Sequence, residues 1–136
     1  MDISVQVKVE ATIKSVWSAW TTPEDITKWN FASPEWCCPR AEIELRNGGK
    51  FSYRMEARDG SVGFDFAGEF TMVDPLKRIE FSLGEERNVK VIFSEIAGGT
   101  IVEEIFTAEN ENSAERQRHG WQMILNNFKS HVESQK

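Results

Sequence analysis

The sequence is short of the residues from which most catalytic and metal centres are built. It holds two cysteines, two histidines and one tyrosine. The cysteines, Cys37 and Cys38, are neighbours. A disulfide between adjacent residues is strained and closes no loop, so they read as free thiols of a reducing cytoplasm. His119 and His131 stand on what reads as one helix, roughly 18 Å apart along its axis, too far to share an ion. Neither opens an HExxH motif, and GxSxG and GxGxxG are missing. Gly48-Gly49-Lys50 resembles the end of a P-loop, but Glu44 stands where its first glycine belongs. No metal or cofactor is therefore expected. No apolar run approaches the ~18 residues of a membrane span. The start, Met1 to Gln6, lacks the basic and apolar regions of a signal peptide. Basic residues are also in the minority: 16 Lys and Arg against 22 Asp and Glu give a net charge of -6. Nucleic-acid affinity comes mostly from phosphate neutralisation, so that balance argues against DNA or RNA. It argues equally against anionic membrane surfaces.

What the sequence has is alternation. Residues 3–11 place Ile3, Val5, Val7, Val9 and Ala11 on one side and Ser4, Gln6, Lys8 and Glu10 on the other, the pattern of a half-buried strand. Two short helices are expected next. Trp17 and Trp20 share a helical face. Thr22 can cap a second helix, with Pro23 at its first position and Glu24 and Asp25 in its first turn. Ile26 and Trp29 then share its buried side. Residues 30–40, with Pro34, Pro39 and Trp36, read as irregular chain unusually rich in aromatics. From residue 41 onwards the chain reads as a meander of about six strands. Asn47-Gly48 is expected to form a two-residue type I′ hairpin turn. Asp59-Gly60, Asp74-Pro75 and Gly98-Gly99 mark further turns.

Residues 113–133 change period. Trp121, Ile124, Leu125, Phe128 and Val132 form one helical stripe. Asn112 or Ser113 can cap this helix, and Glu115 suits a capping box on Asn112. At ~1.5 Å per residue it is about 30 Å long. The 136 residues are thus expected to form one α+β domain. Its curved antiparallel sheet has about seven strands, with two short helices after the first strand and one long C-terminal helix. A straight helix on a coiled sheet touches it over part of its length only, which leaves space to be filled by side chains or kept as a cavity.

Several segments, in order, carry a resemblance: Val16-Trp17-Ser18-Ala19-Trp20-Thr21-Thr22-Pro23-Glu24, Lys28-Trp29, Arg46-Asn47-Gly48-Gly49-Lys50-Phe51, Gly68-Glu69-Phe70, Pro75 with Arg78-Ile79-Glu80-Phe81, and Gly120-Trp121. Over essentially its whole length the chain resembles the SRPBCC superfamily. More closely, it resembles a stand-alone member of the activator of heat shock protein 90 ATPase homologue family. The resemblance implies the START-like, birch-pollen-allergen-like helix-grip fold, with an apolar cavity between sheet and long helix.

It does not imply one function, since folds of this kind host many. The first expectation is non-enzymatic binding of an apolar, lipid-like or aromatic small molecule. The candidate cavity residues are Trp29, Phe31, Trp36, Phe51, Tyr53, Phe64, Phe66, Glu104, Gly120, Trp121, Ile124, Leu125 and Phe128. Trp29, Phe31 and Trp36 are placed near the entrance. Trp17, Phe81 and Phe93 read as ordinary core. A second expectation is regulation of a chaperone ATPase in the stress response. A third is a cyclase- or hydrolase-like enzyme using Glu103 or Glu104, His119 and Tyr53. Glu103 and Glu104 are neighbours in a strand, so one points inward. If buried, that one needs a partner such as Arg54, Tyr53 or His119; otherwise it is a strand-end glutamate in water.

Overall fold

The computed structural model describes residues 1–84 and 86–135. Strand β1 (Asp2–Val9) is followed by helices α1 (Ile13–Thr21) and α2 (Pro23–Trp29). Six strands then run in meander: β2 (Trp36–Ile43), β3 (Lys50–Ala57), β4 (Gly63–Asp74), β5 (Arg78–Gly84), β6 (Arg87–Ile96) and β7 (Gly99–Thr107). Helix α3 (Ala114–Glu133) closes the chain. All seven strands form one antiparallel sheet in the order β1-β7-β6-β5-β4-β3-β2. This is the α+β helix-grip fold. Irregularities in register between Cys37 and Arg40, Phe70 and Met72, and Ser82 and Gly84 bend the strands and curl the sheet.

The helices begin where side chains can replace missing carbonyl partners. Thr12 caps α1, its hydroxyl accepting from the Ser15 N–H at 3.2 Å. Ser113 caps α3 by accepting from Arg116 N–H, so the capping box expected from Asn112 and Glu115 does not form. Thr22 precedes Pro23 as expected but makes no side-chain cap bond. Trp20, Trp29 and Phe128, one from each helix, meet with ring centroids 4.8 to 4.9 Å apart. This triad locks the three helices together, and the Trp29 indole N–H also donates to Ala19 O at 2.9 Å.

Two expectations are corrected. The residue 44–49 connection is not a type I′ hairpin. Gly49 N–H closes a turn onto Arg46 O, and only Gly48 has positive φ, at 82°. The Asn47 side-chain carbonyl is used elsewhere, accepting from Val73 N–H at 2.8 Å. Residues 36–40 are not irregular either: they open β2, whose register slips around Pro39 because proline offers no N–H to the ladder. Gly68 is required by close approach. It sits opposite Phe51 on β3, and a Cβ there would lie 2.5 Å from Ser82 O and 2.9 Å from the Phe51 ring.

Candidate functional site

The α3 backbone comes closest to β1, α1 and α2. Polar ties hold it there: Gln122 Nε2 donates to Gln6 O at 3.2 Å, Lys129 Nζ to Lys8 O at 2.7 Å, and Asn127 Nδ2 to Trp29 O at 2.9 Å. Where α3 meets α2, His131 Nε2 pairs with Asp25 Oδ1 at 2.8 Å. The helix is therefore pinned toward one edge of the curl. Strands β3 to β5 face it across a gap that side chains only partly close.

That gap is a cavity of about 340 Å³. Strand β3 contributes Phe51, Tyr53 and Met55, and β4 contributes Phe64, Phe66 and Phe70. Ile43 from β2 and Ile79 and Phe81 from β5 complete the sheet side, with Glu104 from β7. Trp20, Trp29 and Asn30 stand at the α1–α2 end, while Trp121 and Ile124 come from α3. Arg87 and Glu109 complete the lining. The rings hold one another in place. Phe51 packs against Tyr53, Phe70 and Phe81 at 4.9 to 5.2 Å, and Trp121 stacks on Phe106 at 4.0 Å. A depression of about 680 Å³ at the β2–β5 side of the sheet is larger. It is open to solvent, so it encloses nothing.

Polar groups in this lining are few. Strand alternation turns Val102, Glu104 and Phe106 inward. Glu103 points out, where its carboxylate accepts from the Ser4 hydroxyl. Glu104 is therefore not a strand-end glutamate in water: it is 5% exposed. None of the expected partners reaches it. Arg54 lies on the other face, paired with Glu56 at 2.9 Å and Asp65 at 3.5 Å. His119 is exposed, and Tyr53 borders the same cavity without bonding to Glu104. Burial alone pushes the Glu104 carboxyl up to about 8, so it is protonated at neutral pH. Burial likewise pushes the Tyr53 phenol upward. The Arg87 Nε is buried without a hydrogen-bond partner among the described residues. Asn30 spends its amide on the Met55 sulfur at 3.4 Å.

Of the residues expected at the cavity, Trp29, Phe51, Tyr53, Phe64, Phe66, Glu104, Trp121 and Ile124 border it. Five lie elsewhere. Phe31 lines a separate surface cleft, with the Arg58 guanidinium 5.9 Å above its ring. Trp36 packs against Phe64, 6.0 Å away, outside the cavity lining. Leu125 and Phe128 are fully buried in the packing between helices and sheet. Gly120 faces open space, with nothing within 4 Å of where a Cβ would stand, so packing does not demand a glycine there. Phe81, expected in the core, borders the cavity as well as packing within the core. Phe70, Ile79 and Met55 are further lining residues, and strand alternation puts each on the face of a candidate. Arg87 and Glu109 carry no such signal. His131, which shares no ion with His119, is the partner of Asp25. Among the described residues, no group of three or more His, Cys, Asp or Glu side chains is arranged to hold a metal ion. No described helix is long and apolar enough to cross a membrane.

A family model described as "Activator of Hsp90 ATPase homolog 1-like protein" matches residues 10–133. The chain belongs to this family. The fold places it within the SRPBCC superfamily. The solution structure of an AHSA1-like protein from Aeromonas hydrophila is 43% identical, with a TM-score of 0.93 over 99% of this chain and 94% of that one. A second solution structure, from Cytophaga hutchinsonii, is 42% identical, with a TM-score of 0.85 over 98% of this chain and 93% of that one. A crystal structure from Nitrosomonas europaea shares the fold at 20% identity, with a TM-score of 0.84 over 99% and 96% of the two chains. A search of curated proteins gives no match. The AHSA1-like chain thus keeps its overall fold across relatives of widely different sequence.

Proposed function

We propose that this AHSA1-like protein binds an apolar small molecule between sheet and α3 and releases it unchanged. The observation that carries this reading is the ring-lined cavity of about 340 Å³, within the roughly 300–1,000 Å³ typical of small-molecule sites. Titration with naphthalene derivatives and medium-chain acyl compounds, read by Trp fluorescence and amide shifts, tests the reading. Shifts at Trp29 and Trp121 are expected. No response at either indole with any compound overturns it.

Two other readings are weaker. Regulation of an Hsp90-type ATPase in the stress response rests on the family description and would use an outer surface. Unchanged chaperone ATPase turnover on adding the purified protein removes it. A cyclase- or hydrolase-like enzyme would draw on Glu104 and Tyr53, which border the cavity. Neither has a hydrogen-bonded partner among the described residues that would activate it, and the binding reading is preferred.

A further inference from the structure

The apolar lining is interrupted by a few polar groups, most of which can donate a hydrogen bond. Trp29 and Asn30 have already spent their N–H groups on Ala19 O and the Met55 sulfur. Glu109 is engaged too, with Asn112 Nδ2 donating to its carboxylate. Among the described residues, no side-chain hydrogen bond is made by the Glu104 carboxyl, the Tyr53 hydroxyl, the Arg87 Nε–H or the indole N–H groups of Trp20 and Trp121; of these, Glu104 is the group set in the sheet wall of the cavity. Glu104 is the most deeply placed, on the central part of β7 opposite Val5 and Val91. Both neighbours are apolar, and no described side chain completes its hydrogen bonding. Its carboxyl borders the cavity, where a ligand atom can meet it.

We infer that the ligand is an uncharged, largely aromatic or aliphatic molecule carrying one exposed acceptor oxygen, a ketone or similar carbonyl, and that Glu104 donates its carboxyl proton to that oxygen. This rests on the cavity being a binding site. A protonated carboxyl supplies the donor at neutral pH, and burial keeps Glu104 in that form. A cationic ligand fits poorly. It would share the cavity with the like charge of the Arg87 guanidinium. A pure hydrocarbon offers Glu104 no acceptor.

The test uses a matched pair, 2-acetylnaphthalene and 2-ethylnaphthalene, which differ by the oxygen. Their dissociation constants are measured at pH 6.5 for the wild type, Glu104→Leu, Glu104→Gln and Tyr53→Phe. A neutral hydrogen bond contributes about 0.5–1.5 kcal/mol net, so Glu104→Leu should shift the ketone-to-hydrocarbon preference about two- to twelvefold toward the hydrocarbon. Glu104→Gln retains an N–H donor of the same reach and should keep the wild-type preference. If neither compound binds the wild type, the binding reading fails and this inference with it. If both bind and Glu104→Leu leaves their ratio unchanged, the cavity is a binding site but the donor assignment is wrong. A ratio that moves in Tyr53→Phe and not in Glu104→Leu overturns the assignment in the same way.

Discussion

Replacing Glu104 by glutamine should make the protein more stable at pH 8 and leave it nearly unchanged at pH 4.5. The reason is the proton on its carboxyl. The ordinary value of 4.5 applies to the unfolded chain, whereas burial pushes the folded group up to about 8. Below 4.5 both states carry the proton, and the stability that a neutral Glu104 allows is fully present. As pH rises, the unfolded chain releases its proton while the folded protein must keep it, and stability falls by ~1.4 kcal/mol per pH unit. The loss levels off above about 8, where the folded group ionises too. Over that window the simple product is about 5 kcal/mol, and entry of water beside the carboxyl brings the expectation to roughly 3–5 kcal/mol. Urea unfolding of wild type and Glu104→Gln at intervals from pH 4 to 9 measures it, because all other titrating groups cancel in the difference. Stability curves that run parallel across the whole range would show that Glu104 is either solvated or paired, and that burial does not govern its proton.

Three further outcomes are expected. Phe128→Ala empties the ring triad that joins the helices and should cost about 3–5 kcal/mol, read as a lowered urea midpoint; a loss below about 1 kcal/mol would mean the triad is not a packing centre. Gly68→Val drives a side chain into Ser82 O and the Phe51 ring and should cost about 1–3 kcal/mol, with a change in near-UV circular dichroism as Phe51 is displaced; an unchanged midpoint and spectrum would show that the strands part easily. Cys37 is half-buried, whereas Cys38 is buried with its thiol pushed up by that burial. A thiol reagent should therefore label one equivalent quickly and the second slowly, with the fast phase absent in Cys37→Ser; equal rates would refute the assignment.

The order of elements was legible because each rests on short-range chemistry. Period-2 runs such as Phe51, Tyr53 and Met55 became strands, and the stripe from Trp121 to Val132 became α3. Failures came where two local preferences competed or where distance in space decided. Asn47-Gly48 suits a two-residue hairpin, but the Asn47 side chain gains more by accepting from Val73 N–H on β4. Pro34, Pro39 and the cysteines looked like a loop, yet β2 absorbs Pro39 at an edge, where a missing N–H matters least. The cavity was harder. Alternation tells which residues face inward, not which inward residues touch α3. Leu125 and Phe128 meet the helices and sheet, while Trp121 and Ile124 on the same stripe border the cavity. That division depends on where α3 lies across the sheet, fixed by contacts such as Lys129 to Lys8 O and Asn127 to Trp29 O. Alternation also left the choice between Glu103 and Glu104 open, and the pairing of β1 with β7 settles it.

That pairing sets an order of assembly during synthesis. Among the described residues, residues 2–9 find their ladder partners in residues 100–107, so β1 must wait until most of the domain has been synthesised. Contacts so distant in sequence slow folding. Until β7 emerges, β1 carries a bare edge and the apolar face of Ile3, Val5 and Val9, the kind of surface that nascent-chain chaperones shield.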